Sequence, residues 1–121
     1  MTTSEIATVL AWHDALNEQD FDTLLALSSD DIEVGDPKGA AQGHAALLDW
    51  ARSSGLKAEP GRMYVRDGVV VVEQQVTSTV GDTTAAAAFR VVRDHVTSVF
   101  RHDDLASALA ATELTEKDLA G

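Results

Sequence analysis

Four polar side chains in this sequence stand where they could act on a small molecule. Asp36 follows a short apolar segment and precedes Pro37 and Gly39, so it sits on a turn that a rigid scaffold could hold in place. A carboxylate kept in an apolar pocket has its pKa raised and becomes a usable general base near neutrality. The same Asp-Pro pair also suits a turn starter whose carboxylate accepts backbone N–H bonds, and the spacing leaves both readings open. His13 lies within a run of Ile6, Val9, Leu10 and Leu16 at helical spacing, with Trp12 at the edge of that stripe. It can be a hydrogen-bonded core residue, or a base lining a pocket with a pKa moved by burial. Gln74 shares a strand face with Val70, Val72, Val76 and Val80. A buried amide there needs a partner, which is either protein or ligand. Arg101 alternates with Val99 and Asp103 on the last strand, and points either into solvent or at a carboxylate or substrate oxygen inside.

Other chemistries are excluded by what is missing. There is no cysteine, so disulfides, thiolate metal sites and thiol nucleophiles are out. His13, His44, His95 and His102 show no metal-ligand spacing, so no metal is called for. The glycines form neither a phosphate-binding loop nor a dinucleotide fingerprint, and no serine lies in a nucleophile elbow; no cofactor is expected.

The elements that must position these groups follow from pattern. Thr2 with Glu5 fits a capping box for a first helix, and Asp20 can cap a second carrying Phe21, Leu24, Leu25 and Leu27. The Ser28–Asp31 stretch should end that helix, and Ile32-Glu33-Val34 reads as a short strand. A third helix is expected from about Gly43 to Ser53, with Leu47, Leu48, Trp50 and Ala51 on its apolar side. Strands then follow over 63–65, 69–80, 83–93 and 96–102, joined by Asp67-Gly68, Gly81-Asp82 and Arg93-Asp94-His95. Such tight turns force antiparallel pairing. Leu105–Ala111 reads as a short closing helix, and about 112–121 as a loosely held tail. The expected fold is α+β, three N-terminal helices packed on a curved, mostly antiparallel sheet around an interior pocket.

A chain of 121 residues, 45% hydrophobic and 24% charged, is one globular domain over 1–121. Its 20 acidic residues against 9 Lys and Arg give a net charge of −11, which argues against nucleic-acid and anionic-membrane partners. No apolar run is long enough to span a bilayer, and the opening Met-Thr-Thr-Ser-Glu lacks the basic start and apolar stretch of a secretory leader, so the expected address is cytoplasmic.

The segments Ala15–Asp22, Leu24–Leu27, Asp30–Val34, Asp36-Pro37 and Gly43-His44 resemble the nuclear transport factor two-like superfamily. They are most similar to its polyketide-cyclase (SnoaL-like) and ketosteroid-isomerase branches. The resemblance implies a cone-shaped fold with a deep hydrophobic pocket for a small apolar molecule, and a homodimer formed through the outer sheet face. It places Asp36 where the isomerases carry their general base. It places Trp12 and Ala87 where they carry the two oxyanion donors, so steroid isomerisation is disfavoured; each missing donor forfeits roughly 3 kcal/mol. It also implies that Ala85, Ala87 and Phe89, and likewise Val99, Arg101 and Asp103, face the pocket. Two functions remain: an isomerase, cyclase or hydrolase with Asp36 as base and His13 and Arg101 assisting, or a non-catalytic binder on the same fold.

Overall fold

The computed structural model describes residues 2–36, 39–54, 57–78 and 81–120. Helices α1 (Thr2–Glu18) and α2 (Phe21–Ala26) lead into β1 (Ser28–Asp36), β2 (Gly39–Gln42) and α3 (His44–Ser54). Then come β3 (Lys57–Arg66), β4 (Val69–Ser78), β5 (Gly81–Val92), β6 (His95–His102), α4 (Leu105–Thr112), a 3₁₀ turn (Glu116–Asp118) and β7 (Leu119–Ala120). The strands form one sheet in the order β2-β1-β6-β5-β4-β3-β7, antiparallel except where β1 runs parallel to β6.

Local chemistry sets the corners. Asp20 caps α2, its carboxylate accepting from the Thr23 amide at 3.3 Å and the Thr23 hydroxyl at 2.7 Å. Asp67 and Gly68, at φ 52° and 82°, turn β3 into β4 in the left-handed conformation that matches strand twist. Arg93 and Asp94, at φ 52° and 65°, do the same between β5 and β6. The side chains of the Thr2 end of α1, and the Thr79-Val80 reversal, lie outside the described residues.

The sheet is covered on both faces. Its concave face packs Met63, Val65, Val70, Val72, Ala87, Phe89, Val91, Val96 and Val99 against Val9, Trp12, Leu16, Leu24 and Leu47 of the three N-terminal helices. The convex face packs Tyr64, Val71 and Ala86 against Ala108 of α4 and Leu114 behind it. One extra residue bulges out of β3 near Gly61 and another out of β6 near Thr97, which lets the sheet curl. The β4 ladder has no such shift between Gln74 and Val69 with β5, so its alternation holds. The result is the α+β cone.

Three sequence expectations change. The stripe of α1 is rotated: Val9, Trp12, His13 and Leu16 are buried, whereas Leu10 is 40% exposed. Trp12 therefore stands at the centre of the packed face, because only that rotation seats the indole against Phe89. Strand β1 starts at Ser28, and β2 was not foreseen. Ser28–Asp31 and Gly39–Gln42 carry no apolar signal, and they become strands because the edge of β6 and then of β1 offers unpaired backbone groups. The tail is not loose. Leu114 is buried, Thr115 and Asp118 form a capping box, Arg66 Nη2 donates to the Glu113 carbonyl at 2.6 Å, and Leu119-Ala120 pair with Tyr64 and Met63.

Leu114→Ala should therefore destabilise the fold by about 2 kcal/mol or more, the usual cost of removing a buried leucine side chain. Urea unfolding checks it; a change under about 0.5 kcal/mol would restore the loose tail.

Candidate functional site

The site grows from α1 and β4, which the fold lays across one another at the concave face. His13, wholly buried, places Nδ1 2.8 Å from the Val9 carbonyl one turn earlier. A carbonyl can only accept, so Nδ1 carries the proton. Nε2 is then a lone pair, and it receives the Gln74 side-chain N–H at 2.9 Å. The two bonds fix the histidine tautomer and the Gln74 amide orientation together. Gln74 is 4% exposed, and its Oε1 finds no donor among the described residues. Burial holds the His13 pKa below its ordinary value of 6.5, opposed more weakly by the Val9 hydrogen bond and by the charges of Asp14 and Glu59. The ring is neutral at physiological pH.

Aromatic rings enclose this pair. Phe89 meets Trp12 edge-on at 5.2 Å between centroids and lies 5.3 Å from the His13 ring. Trp50 of α3, half-buried, tilts against Trp12 at 6.0 Å, and the Arg101 guanidinium lies 6.0 Å from the Trp50 ring centroid. Ala85 stands directly opposite Gln74 on β5, and Ala87 opposite Arg101 on β6. Small side chains thus separate the amide from the Trp50–Arg101 rim.

Of the residues singled out in the sequence, His13, Gln74, Trp12, Ala87, Phe89 and Val99 share this interior, with Trp50 and Arg101 at its border. Asp103 does not join them. It is exposed, in the bend after β6 ends at His102, where strand alternation no longer aims side chains. Asp36 ends β1 two residues after the buried Val34, its backbone paired with Gly39; its side chain lies outside the described residues, as do Pro37 and Lys38.

Two positioning residues escaped the sequence reading. Ser28 receives the Trp12 indole N–H at 3.1 Å and passes its own hydroxyl to the Leu24 carbonyl at 2.8 Å. The indole donor is thereby committed to the scaffold, and no motif announces this. Asn17 clamps α1 to β3, its amide exchanging two 2.9 Å bonds with the backbone of Ala58. Its spacing of four from His13 was the available signal, since it puts both on one helix face. No group of three or more His, Asp or Glu side chains able to hold a metal ion occurs among the described residues. Two open recesses lie elsewhere. One of about 740 Å³ lies on the convex face, with Val69, Ala88, Phe100 and Glu33 among its lining residues. Another of about 680 Å³ lies beside α2, lined by His44, His95 and Arg93 among others.

Residues 9–106 match the SnoaL-like domain family, from the first turns of α1 to the start of α4. The chain belongs to that family. Solved structures similar to this SnoaL-like domain include a candidate ketosteroid isomerase from Kribbella flavida, at 18% identity and a TM-score of 0.76, covering 83% of this chain and 77% of that one. A candidate polyketide cyclase from Sinorhizobium meliloti superposes at 22% identity and a TM-score of 0.72, covering 79% and 94%. A nuclear transport factor two-like protein from Burkholderia xenovorans does so at 24% identity and 0.70, covering 93% and 98%. These likenesses establish the fold of the SnoaL-like domain. Comparison with curated proteins finds no match. No helix among the described residues is long and apolar enough to cross a membrane.

The His13 burial has a pH consequence. The folded pKa lies below 6.5, so the unfolded chain takes up the proton first as pH falls. Stability from the neutral ring is complete above the unfolded value and is lost as pH falls toward the folded one, at up to about 1.4 kcal/mol per pH unit. Urea midpoints from pH 7.5 to 5 should fall more steeply for the wild type than for His13→Gln. Parallel slopes would show that the ring titrates normally.

Proposed function

We propose that this SnoaL-like domain takes an apolar small molecule into the concave face of its sheet and acts on it as an isomerase or cyclase, with Asp36 as general base. The observation that carries the reading is the His13–Gln74 pair enclosed by Trp12, Phe89 and Ala87: a polar recognition point inside apolar walls. His13 supports the site as a positioning group rather than a base, since Nδ1 is held by Val9 and Nε2 by Gln74. Arg101, stacked on Trp50 at the rim, suits a substrate oxygen at the mouth. The position of Asp36, two residues along β1 from the inward Val34, supports its part.

A second reading, binding without chemistry, is favoured by one specific observation. The Trp12 indole is spent on Ser28 and Ala87 offers only a methyl, so neither position can stabilise an oxyanion. Native mass spectrometry of freshly purified protein should show a co-purified small molecule. Incubation of that molecule with the wild type and with Asp36→Asn then separates the two readings. The enzyme reading expects conversion that falls at least about a hundredfold in the variant while binding and melting temperature hold. Binding with no conversion by the wild type would leave only the binder.

The assembly we propose is a homodimer through the convex sheet face, supported by the open recess there. Phe100 lies in that recess over Gly35, so close that a Cβ on the glycine would meet its ring at 2.6 Å. Sedimentation equilibrium at micromolar concentration should give twice 12.8 kDa, falling to one copy in Phe100→Glu. A monomeric wild type would overturn the assembly.

A further inference from the structure

The direction of the hydrogen bonds from Val9 to Gln74 says more than that a ligand could enter. We infer that the molecule recognised at the concave face is uncharged, largely apolar, and presents a hydroxyl donor to Gln74 Oε1. This rests on the small-molecule reading above and specifies its ligand class.

The run of hydrogen bonds begins at Val9. Its carbonyl accepts from His13 Nδ1–H at 2.8 Å. The other tautomer would set two lone pairs against each other at that distance. With the proton on Nδ1, Nε2 accepts, and only the nitrogen of the Gln74 amide can face it at 2.9 Å. Flipping the amide would again oppose two acceptors. Gln74 Oε1 is therefore left as an acceptor with no donor among the described residues, in a side chain that is 4% exposed, beside the second Nε2–H that His13 does not take. Such an atom carries a desolvation cost that a partner can relieve.

Only a donor relieves it. A ketone or ether oxygen could accept only the second Nε2–H and would leave Oε1 unpaired, and a carboxylate would add a buried charge to the same mismatch. An ammonium donor is disfavoured because taking it out of water into walls of Trp12, Phe89, Ala85 and Ala87 costs more than one amide returns. An alcohol, enol or phenol matches with the fewest further polar atoms to satisfy, since a neutral amide N–H would bring a carbonyl that needs a donor of its own. Ala85, directly opposite Gln74 on β5, has the least side chain with which to obstruct it.

Cyclohexanol, cyclohexanone and methoxycyclohexane test this, since they share a ring and differ in donor and acceptor. Titrations would follow the indole N–H signals of Trp12 and Trp50 and the side-chain amide of Gln74 by ¹H–¹⁵N NMR. Cyclohexanol should bind the wild type at least about tenfold more tightly than either analogue, the difference made by one buried hydrogen bond. In Gln74→Leu, or in Gln74→Met should the first variant fail to fold, the three should agree within about threefold. Three equal affinities in the wild type would overturn the donor assignment and leave the concave-face site standing. An alcohol preference that survives in either variant would also overturn it. If none of the three moves the indole or amide signals, the site reading falls together with the inference.

Discussion

Helix α1 and strand β4 meet through a polar contact buried in an apolar core, and the geometry of the whole concave face follows from it. An imidazole and a carboxamide placed there unpaired would each cost on the order of 1–3 kcal/mol. Paired, they are close to neutral energetically, but they are directional in a way that valines are not. The helix could slide or roll over non-directional apolar contacts such as those of the Val70 and Val72 cluster without losing a specific partner. It cannot do so without breaking the 2.9 Å bond from Gln74 to His13. Asn17, one turn further on, repeats the device against the Ala58 backbone, so α1 is registered at two points along β3 and β4. The packing of Trp12 on Phe89 and of Trp50 on Trp12 inherits that registration.

Registration is a property of the scaffold, and a scaffold does not by itself fix the chemistry it carries. The cone is held by helix-to-sheet packing and by polar anchors, the His13–Gln74 contact and the Asn17 clamp on the Ala58 backbone. Most side chains that would touch a ligand are free to change as long as volume is kept, whereas Gln74 serves both as anchor and as ligand contact. The Trp12 indole N–H is bound to Ser28, and Ala87 brings only a methyl to the interior.

The architecture was legible in the sequence because its signals are local. Asp20 before an apolar run, Asp67-Gly68 between alternating segments and the valine alternation of β4 each have one physical reading, and each holds. What was not legible depends on partners distant in the chain. Strand β2 is exposed along its length and exists because β1 leaves an edge to be filled. Ser28–Asp31 looks like a helix stop and becomes a strand because Val96 donates its amide to the Leu27 carbonyl at 2.7 Å beside it. The rotation of α1 could not be read from the helix alone, since Leu10 and Trp12 compete for the same stripe and only Phe89 on β5 decides between them. Asp103 was placed by extrapolating an alternation past the end of its strand.

The same distinction governs the candidate site. His13 and Gln74 were each visible as polar residues on apolar faces, and each alone has a bland reading as a satisfied core group. The sequence cannot show that they satisfy one another, 61 residues apart, nor that doing so leaves one oxygen over. His13 offers one donor and one acceptor, and both are used. Gln74 offers donors and an acceptor on one small group, and the histidine takes only a donor. A neutral histidine locked by a main-chain carbonyl presents an acceptor to its next neighbour, so an amide there points its nitrogen at the ring and its oxygen away from it. The polarity of the interior is thus set on α1, at the Val9 carbonyl, and transmitted through two side chains to the face where a ligand would meet it.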